Sequence, residues 1–98
     1  MAAPRPVHRS TPRFELLQDG PETFRLLLGD GQVRHVALRT ASRRELAPAG
    51  AGPLGVAREL VAFLLERGVV PPPRGPVDLA GLAGPFPELT EELRARLG

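Results

Sequence analysis

The chain has 98 residues, with thirteen arginines, eleven carboxylates and two histidines, His8 and His35, and it has no cysteine, lysine, tyrosine or tryptophan. That length fits one domain with a single modest core. The missing cysteines exclude disulfides and thiolate metal sites, zinc fingers among them. The formal charge is only +2, so the isoelectric point near 10.9 reflects the lack of any group titrating between histidine and arginine, not a strongly basic surface.

Charge is distributed unevenly. Residues 1–44 carry eight arginines against four acids, and residues 45–98 carry five against seven. Arginine in place of every lysine, with abundant Ala, Gly and Pro, fits a GC-rich bacterial coding sequence. The first residues lack the apolar stretch of a secretory signal, and no run approaches the roughly 18 apolar residues of a membrane span, so a cytoplasmic protein without membrane contact is expected.

Residues 1–12 hold three prolines and almost nothing to bury, and are expected to form a flexible tail ahead of a single α+β domain over 13–98. Phe14 and Leu16, then Phe24, Leu26 and Leu28, recur with the period of a half-buried strand, predicting strands over 13–18 and 23–28. Asp19-Gly20-Pro21-Glu22 is the turn between them. After Gly29-Asp30-Gly31, a third strand is predicted over 32–39. Val33 and Val36 break strict alternation there, which leaves a bulge or a switch of buried face open.

Ser42 followed by Glu45 is a capping-box pattern, predicting a short helix over 42–47 that Pro48 stops. Pro53 suits a first helical turn and Gly68 a C-terminal cap, so the longest helix is predicted over 54–67. Its apolar arc is Leu54, Ala57, Leu60, Val61, Leu64 and Leu65, widened by Val56 and Phe63. Arg58, Glu59, Ala62 and Glu66 lie opposite. The arc is broader than one sheet contact needs, so the C-terminal residues are expected to cover the Phe63 side. Residues 69–76, with four prolines, form an extended connector. Asp78 caps a turn over 78–83, and Thr90 caps a last helix over 90–97, with Glu91 and Glu92 at its positive end and Arg94 and Arg96 at its negative end. Glu92 and Arg96 are spaced for an ion pair one turn apart.

The pieces Phe63-Leu64-Leu65-Glu66, Val77-Asp78-Leu79 and Pro85-Phe86-Pro87-Glu88-Leu89, in that order, resemble a family of small uncharacterised bacterial proteins. In that family a strand-rich N-terminal half precedes a helix ending Phe-Leu-Leu-Glu, an Asp-Leu turn and a Tyr-Phe-Pro-Glu segment. The similarity covers about residues 61–93. Val77 and Pro85 stand where the family pattern has aromatics, which removes aromatic surface. The resemblance implies the α+β layout and carries over no activity, cofactor or catalytic residue.

Few side chains offer chemistry. His35 beside Arg34, near Asp30, is the one arrangement with acid-base potential, and an ordinary strand histidine explains it better. His8 lies in the N-terminal tail, and Ser10, Ser42 and the threonines occupy no nucleophile frame. The glycine strings Gly29-Asp30-Gly31 and Gly50-Ala51-Gly52 lack the lysine of a phosphate loop. Pro71-Pro72-Pro73-Arg74 reads as a rigid linker before a polyproline ligand. The strongest functional signal is the set Arg5, Arg9, Arg13, Arg25, Arg34, Arg39, Arg43 and Arg44, a candidate arm and sheet face for a partner or for phosphates. The missing tyrosine and tryptophan and the interleaved acids weigh against nucleic acid.

The architecture expected is α+β: a three-stranded antiparallel meander packed by one long helix, with short C-terminal helices. A sheet that small leaves edges and one face uncovered, so the expected function is a non-catalytic binding or adaptor domain for an unknown protein partner, with self-association as one form of it. A nucleic-acid accessory protein is the alternative. No enzyme, cofactor or metal is expected.

Overall fold

The computed structural model describes residues 13–98; the expected tail and its Arg5 and Arg9 lie outside the described residues. The chain order is β1 (Phe14–Gln18), β2 (Thr23–Leu28), β3 (Val33–Ala37), α1 (Thr40–Leu46), α2 (Pro53–Glu66), β4 (Val77–Asp78), α3 (Leu79–Ala83) and α4 (Leu89–Leu97). This is an α+β domain with a mixed sheet in the order β1-β2-β3-β4. The first three strands are antiparallel and β4 runs parallel to β3.

The three-stranded sheet expected from the sequence is therefore corrected to four. Val36 pairs with Val77 and Ala37 with Asp78. A two-residue strand after a proline-rich connector has no period of its own to detect, and only its partner some forty residues earlier defines it. The uneven spacing in β3 also resolves. Pairing runs unbroken from Thr23–Ala37 to Leu27–Val33, so no bulge exists. Val33 lies on the outer face, and Arg34 occupies the inner-face position that alternation would have given to an apolar residue.

One apolar cluster takes Leu16, Phe24, Leu26, Val36 and Leu38 from the sheet region and Val56, Ala57, Leu60, Val61, Phe63 and Leu64 from α2. Leu79, Ala83, Leu89 and Leu93 complete it from the C-terminal helices. Phe86 meets Phe63 edge to face, ring centroids 5.6 Å apart. The side of α2 opposite its apolar arc is less solvated than the wheel implies. Ala62 is buried, and the Glu66 side chain is only 10% exposed because Arg67 and Arg96 close over it.

Helix ends show where local signals suffice. Pro53 occupies the first turn of α2. At its other end Gly68 has φ +75°, with Gly68 N–H donating to the Leu65 carbonyl at 3.0 Å and Val69 N–H to that of Leu64 at 2.9 Å. That is a Schellman ending, sealed by Val69 against the core. Asp78 Oδ1 accepts from Ala80 N–H at 3.2 Å, as its place before α3 predicts. Two expected caps are corrected. α4 begins at Leu89 after Glu88 with no side-chain cap, so Thr90 lies inside the helix. α1 begins at Thr40, so Ser42 is also inside its helix and caps nothing.

The cap of α1 comes instead from the first hairpin. Glu22 Oε2 accepts the Thr40 amide at 2.7 Å. The Thr40 amide above all, then the Thr40 hydroxyl and the nearby Arg39 charge, hold the Glu22 carboxyl below its ordinary value, against a smaller opposing effect of burial. A carboxyl with a lowered native value contributes stability that is complete above its ordinary value of 4.5 and is lost as pH falls through the native one.

Two outcomes follow. Urea midpoints measured over a pH series should show the native chain more stable than Glu22→Gln at neutral pH, with the gap closing as the solution is acidified below the ordinary glutamate value; a gap independent of pH would remove the cap. Gly75 packs on β3 so closely that a Cβ there would lie 2.6 Å from the His35 carbonyl oxygen and 2.8 Å from His35 Cβ. Gly75→Ala should cost about 1–3 kcal/mol in chemical denaturation, because strand backbone must give way.

Candidate functional site

Strand alternation sorts the sheet into two faces. Leu16, Phe24, Leu26 and Val36 face the core, and Glu15, Leu17, Thr23, Arg25, Leu27, Val33, His35 and Ala37 form the outer face. None of the outer set is buried and none belongs to the core cluster. Leu17 and Val33 are 51% and 43% exposed, which makes them two of the most exposed large apolar side chains described. The register sets Leu17 beside Arg25 and Arg25 beside His35 in one row, and Glu15, Leu27 and Val33 in the next. The outer face is therefore a small apolar surface dotted with one carboxylate, one guanidinium and one imidazole.

Of the eight arginines singled out from the sequence, the structure separates those it describes. Arg13, Arg25, Arg39 and Arg44 are exposed. Arg13 precedes β1, Arg25 stands on the outer face, Arg39 adjoins Glu22 at the start of α1, and Arg44 lies on α1. Arg34 and Arg43 are fixed to backbone carbonyls. Arg34 Nε donates to Pro71 at 2.9 Å, holding the proline connector against the sheet, and its Nη2 reaches the Gln32 side-chain oxygen at 2.5 Å. Arg43 Nη1 donates to Ala51 at 2.8 Å, tying α1 to the loop before α2. Of the six arginines described, Arg34 and Arg43 are held by backbone carbonyls and the other four are exposed.

The acid-base arrangement around His35 is not assembled. Arg34 and His35 lie on opposite faces of β3, and Asp30 accepts from Gln32 N–H at 3.0 Å inside its own turn. His35 instead borders an open depression of about 440 Å³ with Asp19, Thr23, Gly75 and Pro76, floored by Phe24 and Val36. A second hollow, about 420 Å³, lies among Arg43, Arg44 and residues 47–50. Among the described residues no group of three His, Asp or Glu side chains is placed to hold a metal ion. No described helix is long and apolar enough to cross a membrane.

The densest charge cluster is one that spacing along the sequence does not reveal. Arg96 grips Glu66 with both terminal nitrogens, Nη1 to Oε2 at 3.2 Å, and also meets Glu92 at 3.3 Å, the pair expected within α4. Glu66, with the Glu92 charge adding to it, raises the Arg96 guanidinium above its ordinary value against a smaller effect of burial. Arg67 stacks 3.6 Å above the Phe63 ring, donates to the Phe63 carbonyl at 3.1 Å, and meets Glu88 at 3.3 Å. The cluster joins the end of α2 to α4.

Among the described residues, the outer sheet face carries exposed apolar side chains beside a sheet edge. β1 ends the sheet, with no described strand beyond it. Comparison with known proteins adds no relative: no family model matches the chain, and no curated protein or solved structure is significantly similar to it.

Proposed function

We propose that this chain is a cytoplasmic, non-catalytic binding domain that docks a protein partner on the outer sheet face and the β1 edge. In this reading α2, packed across the inner side of the meander, leaves the other side to the partner. The observation that carries it is the outer face itself: eight side chains in register, none buried, with Leu17 and Val33 largely in water. Exposed apolar side chains beside an unpaired strand lose free energy to water that a docked surface would recover.

Nucleic acid is the competing occupant, and the fate of the arginines argues against it. Phosphate contact needs guanidinium groups free to reach a backbone. Arg34 and Arg43 are spent on carbonyls, and Arg25 shares its face with Glu15, Leu17 and Val33.

The test is affinity capture from the native cell, with and without nuclease, using the native chain and the double variant Leu17→Glu, Val33→Glu. Both positions are exposed, so the variant should keep its thermal midpoint. A protein retained by the native chain after nuclease, and lost by the variant, is the expected result. Loss of all captured material on nuclease treatment would overturn the reading in favour of nucleic acid.

A further inference from the structure

We propose that two copies of this chain pair through β1, antiparallel, about a two-fold axis at Leu16, joining two four-stranded sheets into one. This rests on the docking reading above and names its partner.

The hydrogen-bond alternation of the first hairpin determines which groups of β1 are free. Asp19 N–H donates to the Thr23 carbonyl at 3.1 Å, which makes Asp19 and Thr23 a bonded pair. Antiparallel pairs alternate between bonded and non-bonded, so Leu17–Arg25 and Glu15–Leu27 are bonded as well. Bonds on the far side of β2 agree. Leu28 N–H goes to Gln32 at 2.8 Å, and Leu38 N–H to Glu22 at 2.8 Å, which turns the even-numbered residues of β2 toward β3. The backbone N–H and C=O groups of Phe14, Leu16 and Gln18 therefore point away from the sheet.

An antiparallel copy must match these free groups with its own. Setting Leu16 opposite the second copy's Leu16 puts Phe14 opposite its Gln18 and Gln18 opposite its Phe14, so all three residues bond in both chains. The same register sets Arg13 opposite the second copy's Asp19, twice by symmetry, and brings the two exposed Leu17 side chains into diagonal contact. Moving the axis to Glu15 would set that carboxylate against itself. Moving it to Leu17 would set Glu15 against the second copy's Asp19, again twice. Like charges directly opposite are unfavourable, so the charge pattern of residues 13–19 favours the Leu16 register over the axes at Glu15 and Leu17. The edge carries no proline or lysine within Phe14–Gln18 to oppose pairing.

Sedimentation equilibrium of the full chain over a concentration series tests this with the variants Arg13→Asp, Asp19→Arg and the two combined. Each single change places like charges opposite one another at both ends of the shared ladder and should weaken dimerisation about tenfold or more. The combined change restores opposite charges and should recover native affinity. Hydrogen exchange gives a second readout: the amides of Phe14, Leu16 and Gln18 should gain protection as concentration rises, while those of Glu15 and Leu17, already bonded to β2, should not change. A native chain that stays monomeric to about 1 mM, or a combined variant no tighter than the single ones, would overturn the pairing. A monomeric chain that still retains a different protein after nuclease loses this inference and keeps the docking reading, so the two fail separately.

Discussion

A helix that needs cover on more than one side sets the terms for the rest of this molecule. α2 buries seven of its fourteen residues, from Val56 to Leu64, and the arc they span is wider than a single sheet can cover. Sheet residues Leu16, Phe24, Leu26 and Val36 and C-terminal residues Leu89 and Leu93 share its apolar cluster, and the edge-to-face contact of Phe63 with Phe86 adds about 0.5–1.5 kcal/mol beyond the area it buries. Arg67, at the end of the same helix, lies on the Phe63 ring while donating to the Phe63 carbonyl. It thus shields the last aromatic surface and satisfies a helix-end acceptor at once. With only four phenylalanines as aromatics, the domain places two of them at this junction.

The same economy appears in the use of arginine. A chain without lysine has one kind of long cation, and that cation has a planar fork able to bind backbone carbonyls while its stem lies on apolar surface. Arg34 on Pro71 and Arg43 on Ala51 each join two segments that share no ladder or helix bond, and Arg67 on Glu88 ties the end of α2 to the start of α4. A hydrogen bond from a charged donor contributes about 1.5–3 kcal/mol, which suits connections a small core cannot make by burial alone. Arginine count in such a chain is therefore a poor guide to surface potential. Three of the arginines described here act as internal fasteners, and Arg96 acts as a fourth through Glu66.

How much of this was legible in the residue order follows the range of each interaction. The first two strands, the proline start and glycine end of α2, and the Asp78 cap depend on neighbours a few residues away, and their signals are plain in the text of the chain. The Glu22 cap of α1 spans eighteen residues and the Arg34 clamp thirty-seven, so no spacing rule reaches them. Ser42 and Thr90 show the converse. Each carries the right chemistry for a cap, yet α1 starts two residues before Ser42, at the Thr40 amide that Glu22 holds, and α4 starts at Leu89, one residue before Thr90. β4 has no local signature at all, since two residues become a strand only by lying beside Val36 and Ala37. For the site, the arginine set was visible as a list, but the division into fasteners and free charges required coordinates.

That division decides what the outer surface can do. Among the described residues, the character of the outer sheet face follows from strand parity. Alternation that sends Leu16, Phe24, Leu26 and Val36 into the core must send Leu17, Arg25, Leu27 and His35 outward, whatever their polarity. None of those four outward residues is buried. The sheet edge is equally constrained: the bonds that close the first hairpin spend the amides of Glu15 and Leu17 and leave those of Phe14, Leu16 and Gln18 facing out. The exposed face is thus a direct consequence of strand parity. Alternation along the strands and the closing of the hairpin at Asp19 together fix which side chains face outward and which backbone groups β1 leaves free.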